Sequence, residues 1–376
     1  MTKTVLYIGW VGFGNLGDDL CFDIFSETMS ERAAEKGLRL EIKGLFPSSF
    51  SEFSLARMAP DLVVLGAGSL FEPVYLKPLA MAAQHSIPTL IWGSGYDSML
   101  PGPLSPSLID PDSAFMIRQT VQRAALIGVR GPYTLEMLEA VGAFHPDLKI
   151  AGDPGLLLKP QQEDASLPEL ESVQGPVIAV NWGTAANKVL GGSEQSVFDD
   201  LKEVLAALPK EFTVLIYSVW PRDLARCRNL YRELDSTNCL LLDRVPSRDE
   251  LAALYRRSTL SVNMKLHANI FSAALDCPFV HLAYRMKGWD FSRSLNWTDL
   301  TVMFSDTDRR EKIAGAIEAV LADAEGCKAR LHSAKQHYLA EHRALADAAV
   351  SLLGGIGPAY LSQGLAGSAP GTNRMY

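Results

Sequence analysis

Short apolar runs alternate with helix-forming stretches along most of the chain, and this rhythm restricts the fold more than any other feature. TVLYIGWV, LRLEIKGLF, DLVVLGAG, PTLIWGSG, AALIGVRG and LKIAGDPGLLL read as strands. DLCFDIFSETMSERAAEKG, YLKPLAMAAQH and YTLEMLEAVGA read as helices between them. The runs are nearly continuous in Val, Ile and Leu, as strands covered on both faces must be, so the sheet is expected to be parallel and doubly wound. Residues 159–176, KPQQEDASLPELESVQGP, are polar and broken by proline and read as a linker. The rhythm then restarts with PVIAVNWG, FTVLIYSVW, NCLLLDRV, TLSVNMK and PFVHLAY as strands, with helices between them. The expected architecture is α/β, with two Rossmann-like domains facing a cleft. They span residues 1–160 and 175–305, with helices over 306–353 packing back and a loosely ordered Gly/Ser/Pro-rich tail at 354–376.

Charge and composition narrow the function classes. The chain has 376 residues and a net charge of −8 without blocks of like charge, so no general affinity for nucleic acid or an anionic membrane is expected. An anion site must then be a local cluster of Lys and Arg. No run of about eighteen apolar residues is present, and the first apolar stretch is too soon broken by glycines to read as a signal peptide. Five scattered cysteines, with no C-x-x-C, read as reduced and mostly buried thiols of a cytosolic protein.

In open α/β sheets ligands sit outside the carboxyl ends of the strands. Those ends carry GFGNLGDD, GAGSLF, WGSGYDS, VRGPYT and AGDP in the first half. In the second they carry NWGT, SVWPRD, DRVPSRD, NMKLHAN and AYRMKGWD. Gly12, Gly14 and Gly17 match the G-x-G-x-x-G spacing of a dinucleotide loop. Asp18 and Asp19 would then occupy the helix N-terminus where a pyrophosphate should sit. Carboxylates there cap the helix and compete with phosphate, and the next strand ends KGLF without the acid that would hold a ribose. The glycines therefore read as a tight turn with capping aspartates, and Asn15 as a ligand or a turn residue.

NMKLHAN, residues 263–269, follows a strand and opens a helix. Lys265 and His267, two apart on an extended segment, are expected to face the cleft together. The helix dipole should disfavour the charged form of His267, leaving a neutral ring that can take a proton. Arg285 and Lys287 follow at the next strand end, and Arg130 at a strand end of the first half. Together with Lys265 they form a cationic pocket in an acidic protein, suited to a small multiply charged anion.

GFGNLGDD, GAGSLF, VRGPYTLEML, AGDPGLLL and NMKLHANIFSAALDCPFVHLAYRMK, in this order between about residues 7 and 290, resemble the polysaccharide pyruvyltransferase family. That family is similar in fold to two-domain GT-B glycosyltransferases. Its members transfer pyruvate from phosphoenolpyruvate onto two hydroxyls of one sugar as a cyclic ketal. The resemblance implies phosphoenolpyruvate and a glycan acceptor as partners, and no cofactor or metal. It implies a donor site at Arg130, His267 and Lys287, with Lys265 and Arg285 beside them. Gly14, Asn15, Asp18, Asp19, Gly68, Ser69 and Asp153 would line the acceptor side. One departure stands out: Lys265-Leu266-His267 replaces the family's usual Arg-Leu-His, which keeps the charge and loses the bidentate fork.

On this reading His267 is the general acid/base, the cations hold the donor and stabilise the leaving phosphate, and Asp18 deprotonates or orients an acceptor hydroxyl. Two other readings are a GT-B glycosyltransferase using a nucleotide sugar, with Asp223, Asp243 or Asp249 toward the ribose, and a non-catalytic glycan-binding relative. A lipid-linked acceptor would bring the protein to the inner face of the membrane.

Overall fold

The computed structural model describes residues 2–99, 109–235 and 238–355. The first sheet comprises β1 (Thr2–Ile8), β2 (Arg39–Leu45), β3 (Leu62–Leu65), β4 (Thr89–Ser94) and β5 (Leu126–Val129) in the order β2-β1-β3-β4-β5. The second comprises β6 (Val177–Asn181), β7 (Thr213–Tyr217), β8 (Cys239–Leu241), β9 (Ser258–Asn263), β10 (Phe279–Ala283) and β11 (Thr301–Met303) in the order β11-β10-β9-β6-β7-β8. All the strand pairs are parallel, so every return runs through a crossover. Central strands such as LVVL of β3 and VIAVN of β6 are buried at every position.

The helices are α1 (Leu16–Glu35), α2 (Glu52–Met58), α3 (Pro73–Gln84), α4 (Pro111–Arg123) and α5 (Pro132–Ala140) in the first half. α6 (Glu194–Ala206), α7 (Leu224–Leu234), α8 (Arg248–Arg257), α9 (Leu266–Ala274) and α10 (Met286–Ser294) follow in the second, before α11 (Arg309–Ala322) and α12 (Ala324–Leu353). Leu6, Ile8, Val63 and Leu65 pack on one face of the first sheet with residues of α2 to α5. Val5, Tyr7 and Val64 pack on the other with Phe25 and Met29 of α1 and Leu345 and Ala349 of α12. Leu331 and Tyr338, earlier in α12, belong to the core around the second sheet. The last helix therefore runs from one half onto the other, as expected of helices packing back. Among the described residues no helix is long and apolar enough to cross a membrane.

One local reading is corrected. LKIAGDPGLLL forms no strand: it makes a single bridge, Val129 to Ile150, and then a short 3-10 turn over Pro154–Leu157. Gly152 turns the chain at φ +84° and Pro154 lacks the donor that a ladder needs. The strand-end stretch AYRMKGWD passes directly into a helix, α10, from Met286. The tail expected at 354–376 lies outside the described residues from 356 onward.

Polar contacts join the halves. Asp290 of α10 is fully buried. It accepts from the Tyr133 backbone N–H at 2.8 Å and the Thr134 hydroxyl at 2.6 Å, at the start of α5, and lies 3.6 Å from Arg130 Nε. Arg248 of α8 makes a forked pair with Glu27 of α1, and Arg32 of α1 another with Asp347 of α12. Removing one partner of a buried pair leaves the other charge uncompensated. Asp290→Ala is therefore expected to lower stability by about 3 kcal/mol, read as a fall in the urea midpoint.

Candidate active site

A cavity of about 190 Å³ lies between the carboxyl edges of the two sheets. The strand order reverses between β1 and β3 in the first sheet and between β6 and β9 in the second, and the loops after β1, β3 and β9 all reach the cavity. Asn15, Asp18, Gly68, Ser69 and Arg130 line it from the first half. Lys265, His267 and Lys287 line it from the second, with Trp220, Asp223 and Tyr284.

GFGNLGDD closes one side. Gly12 and Gly14 take φ of +88° and +67°, which makes the turn. Asn15, not an aspartate, is the N-cap of α1: its side chain accepts from the Gly17 N–H at 3.1 Å. Asp18 and Asp19 sit in the first turn. A Cβ on Gly17 would lie 2.1 Å from Nδ1 of His267, so this glycine makes room for an imidazole from the opposite half. Burial pushes the Asp18 carboxyl up to about 7, against the pull of Lys287 and with help from Asp19 and Asp153.

Across the cavity, the backbone turns at Lys265, the N-cap of α9, and is helical from Leu266. The extended segment expected around Lys265 and His267 is therefore a helix start, yet both side chains reach the cavity. Asn181 at the end of β6 accepts from the Lys265 backbone N–H at 3.1 Å. The Lys265 ammonium donates to the Thr184 carbonyl at 2.6 Å, lies 3.1 Å from buried Asp223 and sits over the Trp220 ring. His267 is partly buried and stacks on Phe271. Burial first, then Lys287 and Arg130, lowers its pKa to about 3. The ring is neutral as expected, with burial rather than a helix dipole as the leading cause.

Arg130 is fully buried beneath the cavity. It donates to the Tyr96 carbonyl at 3.1 Å and lies 3.4 Å from Ser69 Oγ. Burial works against the charge of Lys287, but Tyr284 and Asp97 raise its pKa above the ordinary value. Four expected site residues do not line the cavity. Arg285 pairs with Asp97 at 2.8 Å, because as the residue before α10 it points to the first half while Lys287, in the first turn, points inward. Gly14 is exposed in the turn, and Asp19 closes it by accepting from Gly12 N–H at 3.2 Å. Asp153 is buried, accepts from Gly155 N–H at 2.9 Å and caps the 3-10 turn. Tyr284 and Trp220 carried no spacing signal beyond their strand-end loops. Among the described residues no group of three or more His, Cys, Asp or Glu is arranged to hold a metal.

Two parallel α/β sheets with a cavity between their carboxyl edges, spanned by a returning C-terminal helix, define a GT-B-like fold. The chain belongs to the polysaccharide pyruvyl transferase family, whose model matches residues 12–285. Solved structures agree on the fold. MnaA of S. aureus with UDP is 9% identical, with TM-score 0.60 over 89% of this chain and 92% of that one. A putative UDP-N-acetylglucosamine 2-epimerase from Listeria monocytogenes is 12% identical, with TM-score 0.60 over 88% and 91%. A trehalose 6-phosphate synthase from Burkholderia multivorans is 12% identical, with TM-score 0.57 over 99% and 100%. No curated protein sequence matches. At such identities the structural likeness carries the fold and not the substrate.

A carboxyl whose folded pKa lies above its unfolded value costs nothing while protonated in both states and costs most once both are ionised. The cost of Asp18, raised from 3.8 to about 7, is therefore absent at pH 3 and full above pH 7. Asp18→Asn is expected to stabilise the protein at pH 8 and leave stability nearly unchanged at pH 3, read from urea midpoints. Gly17→Ala is expected to keep the fold while displacing the imidazole, seen as a shift of the His267 ring ¹⁵N resonances.

Proposed function

We propose that this cavity transfers the pyruvyl group of phosphoenolpyruvate onto two hydroxyls of one glycan sugar, closing a cyclic ketal and releasing inorganic phosphate. The observation that carries this reading is the convergence in one cavity of cations from both halves, Arg130 and Lys287, with two proton-moving groups, Asp18 and His267. The donor brings a carboxylate and a phosphate. The guanidinium fork of Arg130 and the ammonium of Lys287 suit these anions and the phosphate as it leaves.

In the first step a sugar hydroxyl oxygen bonds to C2 of the donor, and a proton adds to the methylene carbon, making it a methyl group. Asp18 titrates near neutrality and is the proton donor to that carbon, while neutral His267 takes the proton of the attacking hydroxyl. Asp18 thus takes the acid role in place of the base or orienting role expected from the chain alone, while the neutral His267 ring keeps the proton-accepting side of its expected acid/base role. In the second step the other hydroxyl bonds to C2, the C2–O bond to phosphate breaks, and its proton leaves with phosphate. Lys265 is balanced by Asp223 and the Thr184 carbonyl, so it shapes the pocket more than it charges it.

A nucleotide sugar is less well served. Asp223 is held by Lys265, and Glu194 accepts from Thr184, Ala185 and Asn187, so neither carboxylate is free for a ribose at that edge.

Calorimetric titration with phosphoenolpyruvate tests the donor assignment without knowledge of the acceptor. Binding is expected, weakened about tenfold in Arg130→Lys, where the fork is lost. Ionised Asp18 repels an anion, so affinity should fall as pH rises through about 7, and Asp18→Asn should flatten that dependence. Absence of binding to the folded protein would sink the proposal.

A further inference from the structure

The loop after β1 carries more than the cavity uses. Phe13, between two left-handed glycines, is 46% exposed and stacks on Trp10 at 4.4 Å between ring centres. Both rings meet Phe46, at 5.2 Å for Trp10 and 5.0 Å for Phe13. Phe46 in turn meets Tyr75 edge-on at 6.2 Å. The row adjoins the cavity through its own loop: Trp10 and Phe13 precede Asn15 and Asp18, which line the cavity wall. Glu72 is exposed, and among the described residues its side chain makes no hydrogen bond.

We propose that the aromatic lip of Trp10, Phe13 and Phe46, backed by buried Tyr75 and with Glu72 at its edge, is a second sugar subsite that stacks a neutral pyranose of the acceptor next to the residue receiving pyruvyl. This rests on the pyruvyl-transfer reading. Three observations lead to it. Gly12 and Gly14, with open space around both, turn the backbone so that an aromatic side chain stands out at the rim instead of joining the core. An exposed aromatic face beside a cavity matches the axial C–H face of a pyranose, and a carboxylate whose oxygens make no hydrogen bond among the described residues accepts sugar hydroxyls. The lip residues themselves carry no cation, and Glu72 adds a carboxylate at the edge, which favours a neutral sugar over an anionic one or an anionic bilayer.

The test uses full-length protein labelled with 5-fluorotryptophan, the Trp10 resonance being assigned by Trp10→Phe. Cellobiose, lactose and maltose are titrated up to tens of millimolar while the ¹⁹F spectrum is followed, and phosphoenolpyruvate affinity is measured on the same samples. At least one disaccharide should move the Trp10 resonance. Phe13→Ala should weaken that binding about fivefold, Phe13→Tyr should retain it, and both should leave phosphoenolpyruvate affinity unchanged. No response of Trp10 to any of the three sugars, or equal affinity in Phe13→Ala, overturns the subsite. Phe13-dependent sedimentation with phosphatidylglycerol vesicles, without a sugar response, would overturn it in favour of a membrane. Sugar binding without phosphoenolpyruvate binding keeps the sugar site and removes the donor reading, so the two failures are distinguishable.

Discussion

The cleft is held together by the need to neutralise one buried and three half-buried cations. Arg130 lies against Asp290, Lys265 against Asp223, and Arg285 and Lys287 against Asp97. Three of these four pairs cross from one half to the other, so the contacts that make the cations tolerable also fix how the sheets face each other. Asp290 does a third thing: it accepts from the first N–H groups of α5 and so orients the helix that follows Arg130. Site and domain interface are one structure, and a change at the interface is a change in the field of the cavity.

This compensation bears on what the cavity can bind. Three carboxylates face these four cations, Arg285 and Lys287 sharing Asp97, so much of the positive charge around the cavity is already compensated. On the proposed reading, discrimination among anions would rest on directional hydrogen bonds and on the protonation of Asp18, with Asp153 buried behind it. Burial raises both carboxyls, and a bound anion raises them further.

Most of the fold was legible because its signal is local. Strands buried on both faces must be continuous in Val, Ile and Leu, and Pro132 sits where a helix can begin without its N–H. LKIAGDPGLLL was misread because its apolar content reflects burial of Leu156 and Leu158 in the second core, while Gly152 and Pro154 exclude a ladder. The site was legible to the extent that strand ends collect it: Asn15, Asp18, Ser69, Arg130, Lys265, His267 and Lys287 all reach one cavity. Partners across the cleft were not. Asp290 and Thr134 are 156 residues apart, and nothing in either stretch announces the other. Gly17 shows the same limit, since its third-glycine spacing invites a cofactor and only the fold reveals the imidazole lying on it.

The returning helix has a mechanical consequence. The chain passes between the halves at the linker and again within α12, and both passages line a second cavity, with Lys159 and Gln161 on one wall and Arg343 on another. α1 connects this region to the active cavity, since Asp18 lies at one and Glu27 at the other, about 14 Å further along the helix. Two neighbouring crossings behave as the spine of a book. They tie the halves together along one edge, beside the Arg248–Glu27 fork, while the imidazole resting on Gly17 joins them at the cavity itself.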